Sequence, residues 1–211
     1  YILARPPVSN MFETLIFVPW IAVLFSYLLY AFIRTSSVLT ASALSAVILL
    51  LLLQWSGLDQ SLENVQPVLD SHYWLVVHVL MVVGSYGVYL LGGILGHFYL
   101  ASYYFGENNS PRLEILGKLI IQSMYLGTAL LIPGTLLGGV WAAQSWGRFW
   151  DWDPKESWAF ISSCTYLIWI HAYVFKKIRY FGAAVGSIVG LMIIAFTWYG
   201  VNYVLGTGLH S

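Results

Sequence analysis

The sequence predicts an all-α, polytopic membrane protein of about six transmembrane helices with an extracytoplasmic tryptophan-rich loop. Three observations predict it. Hydrophobic residues make up 59% of the 211 and charged residues 9%, with a mean hydropathy of +0.76, a balance that soluble domains do not carry. Apolar stretches of spanning length, ~20 residues each, recur along the chain. Charges collect in the connections between them, and a net charge of zero argues against nucleic acid as a partner.

The spans run roughly 15–33, 37–54, 74–100, 117–137, 157–175 and 181–204. Arg5-Pro-Pro precedes the first, and Arg34 closes it. After the second, Gln54, Asp59, Gln60 and Glu63 read as a short interfacial or solvent-facing helix. The third carries Gly92 and Gly96, a small-xxx-small pair that reads as close helix packing, and Asn108-Asn-Ser-Pro111 forms the turn into the fourth. The fifth holds Cys164, the one cysteine, so the chain carries no disulfide framework and no Cys-x-x-Cys-His haem-attachment site of its own. Cys164 itself reads as a small packing residue.

Six spans return the chain to the side on which it began. Arg34, Arg112, Lys118, Lys176, Lys177 and Arg179 then fall on one face against Arg5, Arg148 and Lys155 on the other. The richer face is expected to be cytoplasmic. The whole of 1–211 reads as one membrane domain. Its start at Tyr1, without a Met, reads as a segment of a longer chain or complex.

Five of the ten tryptophans lie between Trp141 and Trp158, in a loop of about 138–158 that also carries Arg148, Asp151, Asp153, Lys155 and Glu156. An aromatic belt spreads its rings over several helix ends. Half of the tryptophans in one charged loop instead suit an interfacial cover for something flat and apolar, such as a porphyrin. Arg148 and Lys155 have two readings: partners for haem propionates, or partners for Asp151, Asp153 and Glu156, which their closeness in sequence favours. Asp153 before Pro154 equally suits a helix N-cap, with Glu156 in the first turn.

The topology sorts the five histidines. His72 and His97 read as interfacial residues, His72 in the polar run Asp70-Ser-His-Tyr and His97 near the cytoplasmic end of the third span. His78 opens an apolar stretch one turn after Trp74, and His210 follows Gly206-Thr-Gly208 at the same face, so both should approach the tryptophan loop as a bis-His haem pocket. His171 lies well inside the fifth span, where an imidazole is costly unless partnered or bound to metal.

At these residues the sequence resembles a known family. Trp146-Gly-x-x-Trp-x-Trp-Asp-Pro-Lys-Glu156, followed by Ser157-Trp-Ala, resembles the tryptophan-rich motif of the haem-handling cytochrome c biogenesis proteins. Its Asp-Pro-Lys-Glu ending is similar to the CcsA (ResC) branch, also found fused as CcsBA, rather than to the CcmC or CcmF branches. Arg5-Pro-Pro-x-x-Asn10-Met-Phe-Glu13, Trp74-Leu-x-x-His78-Val and Val201-Asn-Tyr-x-Leu-Gly-Thr-Gly-Leu-His210 extend the likeness over most of the chain.

The resemblance implies that His78 and His210 are axial ligands of a haem b displayed at the outer face. Trp146, Trp150, Trp152 and Asp153 would lie along it, and Trp141, Trp158 and Arg148 are read as haem-binding residues beside them. His171 corresponds to an intramembrane ligand of haem in transit, whose second ligand would come from a CcsB-like portion or subunit. The implied reaction joins the haem vinyl groups to the thiols of Cys-x-x-Cys-His in apocytochrome c. It would take place at the periplasmic side of a bacterial inner membrane, or in a thylakoid if the source is a plastid. Two other readings stay open: a haem exporter without synthetase chemistry, and a di-haem electron-transfer membrane subunit.

Overall fold

A computed structural model describes residues 8, 10–56, 72–106 and 111–205. Among them the chain forms six long helices: α1 (Met11–Ile33), α2 (Ser36–Trp55), α3 (His72–Phe105), α4 (Pro111–Trp146), α5 (Pro154–Val174) and α6 (Tyr180–Ala195). A π-helical turn (Phe196–Gly200) and the short α7 (Val201–Val204) continue α6.

Local chemistry sets the ends. Asn10 caps α1 by accepting from the Glu13 amide at 2.8 Å. Arg34 ends α1 in the left-handed region, φ 56°, with its N–H on the Tyr30 carbonyl. Pro111 opens α4, where a missing N–H costs nothing, and Gly147, φ 75°, stops it.

Among the described residues, five helices are long and apolar enough to cross a membrane: Met11–Ile33, Ser36–Trp55, Val76–Phe105, Pro111–Ser145 and Tyr180–Val204. The segment expected as the fifth span forms the helix α5 but is not among these five, although its 21 residues reach about 32 Å, the depth of a hydrocarbon core. Lys155, Glu156, three serines and His171 dilute its apolar run. α3 and α4, at 34 and 36 residues, reach about 51 and 54 Å and run well beyond the apolar stretches that announced them.

α3 is the centre of the bundle, packing on α1, α2, α4 and α6, while α5 packs on α4 and α6. Of the most apolar window of α3, 72% is buried, against 28% for α1 and for α2. Gly92 and Gly96 do serve close packing, but toward two neighbours: a Cβ at Gly92 would fall 2.9 Å from Ser123 Cβ of α4, and one at Gly96 2.5 Å from Ser187 Oγ of α6. Further along the α3–α4 seam, Tyr89 stacks on Tyr166 of α5, with centroids 3.7 Å apart. The Tyr89 hydroxyl bonds Thr128 Oγ1 at 2.9 Å. The middle of the bundle is thus filled by aromatic rings.

Candidate functional site

The N-terminus of α3, the C-terminus of α4 and the N-terminus of α5 meet at one end of the bundle, joined by the tryptophan loop. α4 ends in Pro133-Gly-Thr-Leu-Leu-Gly-Gly139 before its last two turns. Those glycines leave bare backbone, and two groups approach it. The His78 ring of α3 lies against Gly138, where a Cβ would fall 2.5 Å from its Cε1. The loop residue Phe149 lies against Gly139, where a Cβ would fall 2.8 Å from its carbonyl oxygen and 2.9 Å from its ring. Adjacent residues of α4 therefore receive His78 and the tryptophan loop.

The half-buried His78 donates from Nδ1 to the Gly134 carbonyl at 2.7 Å. A carbonyl only accepts, so Nδ1 carries the proton and the ring's lone pair sits on Nε2, the arrangement of a metal-binding imidazole.

The loop's charges hold the loop itself. Arg148 pairs with Asp151 at 2.7 Å. Asp153, buried, accepts the Glu156 amide at 2.8 Å, and Glu156 Oε2 accepts the amides of Asp151 at 2.9 Å and Asp153 at 3.4 Å. This capping box starts α5. Lys155 is largely desolvated in the same turn, which pushes its ammonium pKa down, and the Asp153 charge opposes that fall.

The tryptophans divide by environment. Trp141 is buried in α4, and Trp158 packs on Phe196 of the π turn at 4.4 Å. Trp150 and Trp152 meet edge to face at 5.8 Å, and Trp152 meets Phe160 at 6.1 Å. Among the described residues the buried Trp150 Nε1 has no hydrogen-bond acceptor. Trp152 is 67% exposed on a backbone at φ 56°, a conformation costing an L side chain roughly 1–2 kcal/mol. An indole held out to the surroundings on strained backbone is the kind of feature that function maintains. Trp146 ends α4, with its side chain outside the described residues, and His210 lies outside them altogether.

His171 stands elsewhere. It lies 18 residues beyond Asp153, about 27 Å along α5, exposed, with Nδ1 donating to the Leu167 carbonyl at 2.7 Å. His97 does the same on α3, to Gly93 at 2.8 Å. Among the described residues, no three of His, Cys, Asp and Glu gather as a metal cluster.

The sequence model described as Cytochrome C assembly protein matches residues 8–210. The chain belongs to that family. Within it, Protein NrfI of Wolinella succinogenes is 35% identical over all of this chain and 24% of that protein. The cytochrome c biogenesis proteins CcsA of Trieres chinensis, at 32%, and of Arabidopsis thaliana, at 29%, align with 97% of the chain and 77% of their own length. The chain thus spans about a quarter of NrfI and about three quarters of the CcsA proteins. Family membership and the five apolar helices make it an integral membrane protein of cytochrome c biogenesis, a process that handles haem. Gly134, Gly138, Gly139 and Phe149 line the candidate site and were not singled out from the sequence. The spacing Gly134-xxx-Gly138 was their available signal.

Proposed function

We propose that this chain carries haem b across the membrane and presents it at the extracytoplasmic face to the Cys-x-x-Cys-His segment of apocytochrome c. His78 and His210 are the axial ligands, and Trp146, Trp150 and Trp152 flank the ring. His171 holds haem in transit, with its second ligand supplied by a CcsB-like portion or subunit. The excess of Arg and Lys at the opposite end makes that end cytoplasmic, in a bacterial inner membrane or a thylakoid.

The observation that carries this reading is that His78 and the tryptophan loop rest on the adjacent residues Gly138 and Gly139, with His78 Nδ1 held by the Gly134 carbonyl. The residues suit the cargo: a basic nitrogen, exposed indole and phenyl faces, and a buried N–H at Trp150 without an acceptor. Attachment adds each cysteine S–H across a vinyl C=C, forming one S–C and one C–H bond with no net oxidation. The chain's part is to hold the haem plane with a vinyl edge outward, the orientation effect that makes a bimolecular step nearly unimolecular.

The test is a set of reduced-haem spectra and covalent product from the complete membrane complex, coexpressed with an apocytochrome, for His78→Ala, His210→Ala and His171→Ala. Loss of haem and product in the first two, restored by imidazole, and loss of haem loading in the third support the reading. Haem without thioether product in the parent makes the chain an exporter. Normal haem and product in all three variants removes these histidines as ligands.

A further inference from the structure

His78 meets α4 where that helix has no side chains, and the contact constrains the ring twice. Its Nδ1 is 2.7 Å from the Gly134 carbonyl oxygen. The Nδ1–Cε1–Nε2 edge lies where a Cβ on Gly138 would fall, 2.7, 2.5 and 3.1 Å away in that order. One glycine gives the ring a bond and the other gives it room. We propose that Gly134 and Gly138 are positioning residues for His78: the Gly134 carbonyl sets the tautomer and ring plane, and the bare Gly138 lets the ring reach that carbonyl. Nε2 is thereby aimed as an axial ligand in register with the tryptophan loop, which is anchored one residue on at Gly139. The inference deepens the haem reading and rests on it.

Three features suit α4 to this task. A carbonyl oxygen has two lone pairs, so Gly134 serves the imidazole in addition to its own helix. The absence of a Cβ at Gly134 brings α3 close, since one there would already fall 3.0 Å from Met81 Cβ and Val82 Cγ2. Pro133, just before, lacks an N–H and removes one rung of the helix ladder, which allows the local bend such an approach needs. The partner is also neutral. A carboxylate in its place would pull the proton toward itself and strengthen the iron bond. A carbonyl orients the ring with a smaller gain in basicity, which suits a ligand that must hold haem and then release it.

The test uses chemical replacement of the ring in the complete membrane complex. In His78→Gly, imidazole can donate to the Gly134 carbonyl, whereas 1-methylimidazole carries a methyl group where that proton would be. Titration of each is followed by the reduced-haem spectrum and normalised to the affinities of the same two ligands for haem in detergent micelles. Loss of an outer-sphere partner typically costs about 10–100-fold in metal affinity, so 1-methylimidazole should need at least ~10-fold more ligand to restore the spectrum. Equal normalised affinities within about twofold overturn the inference and leave His78 as a ligand. Wild-type haem in His78→Gly without any added ligand overturns the haem reading itself.

Gly138→Ala supplies a second arm, with Gly92→Ala as its control on the same α3–α4 seam. Gly138→Ala should lose the haem spectrum as His78→Ala does, with no further loss in the double variant, while Gly92→Ala keeps it. A normal spectrum in Gly138→Ala also overturns the inference. Should Gly138→Ala fail to fold, the comparison of the two imidazoles decides alone.

Discussion

Asp153 is the residue for which a catalytic and an architectural role predict opposite results. Its carboxylate accepts the Glu156 amide at 2.8 Å, and Glu156 returns the bond to the Asp153 amide. Replacing an N-cap acid by Ala costs ~1 kcal/mol. Because Asp153 is only 8% exposed, part of the cost of an unsatisfied buried N–H, ~1–3 kcal/mol in full, adds to it. A total near ~2 kcal/mol multiplies the opening of the first turn of α5 roughly 30-fold. Amide hydrogen exchange of peptides covering 150–158, measured in nanodiscs, reads that opening. Asp153→Ala should speed exchange by roughly 30-fold, while Asp153→Asn and Asp153→Ser, which keep an accepting oxygen, should stay within about threefold of the parent and retain haem. Asparagine behaving like alanine would refute the capping argument and leave the charge as the property that matters.

Arg148→Ala removes an exposed ion pair worth ~0.5 kcal/mol, so haem affinity should change less than about threefold by titration. A loss above tenfold would make Arg148 a propionate partner. Trp152→Gly relieves the positive φ but forfeits the contacts with Trp150 and Phe160; these terms, each of order 1 kcal/mol, nearly cancel. Thermal stability should therefore hold within ~1 kcal/mol while haem retention falls, and a large drop in Tm would show that the ring serves packing alone. His97→Ala and His171→Ala remove rings with the same bond to their own helix, yet only His171→Ala should reduce haem loading. Thr128→Val strands the Tyr89 hydroxyl in the core and should cost ~1–3 kcal/mol in a reversible unfolding assay, with the haem spectrum unchanged.

Much of the frame was legible because composition and period act locally. The six apolar runs became six helices, and Asp153-Pro154-Lys-Glu156 announced the start of α5 through the capping chemistry of its own residues. The helix ends were less visible. α3 and α4 continue to Phe105 and Trp146 through residues too polar or aromatic to count as a span, and Phe196–Gly200 winds as a π turn inside what read as a uniform helix. The bond from His78 to Gly134 spans 56 residues, and its acceptor is a backbone carbonyl that no residue type announces. Gly134 and Gly138 carry the same small-xxx-small signature as Gly92 and Gly96, yet nothing in the sequence says which glycine faces an imidazole and which faces a serine.

If haem passes between His171 and His78 as proposed, the packing between them limits its route. Among the described residues the interior beside α3 is filled, because Tyr89 and Tyr166 are stacked there and Tyr89 lies against Gly127 of α4. The outside of α5 is different. Phe160, Ile168, His171 and Phe175 are exposed, and with Cys164 their spacing of three and four residues puts them on one face. That face begins at the Phe160 contact with Trp152 and runs to His171 at the other end. A histidine on such a face is costly in lipid, and the bond from His171 Nδ1 to the Leu167 carbonyl accommodates only one of its two ring nitrogens. The same face also belongs to the one long helix that falls short of the apolar density of the other five. Both facts are accounted for if α5 faces cargo and a second protein segment rather than acyl chains, which puts the proposed inner ligand His171 and the tryptophan loop at the two ends of one helix.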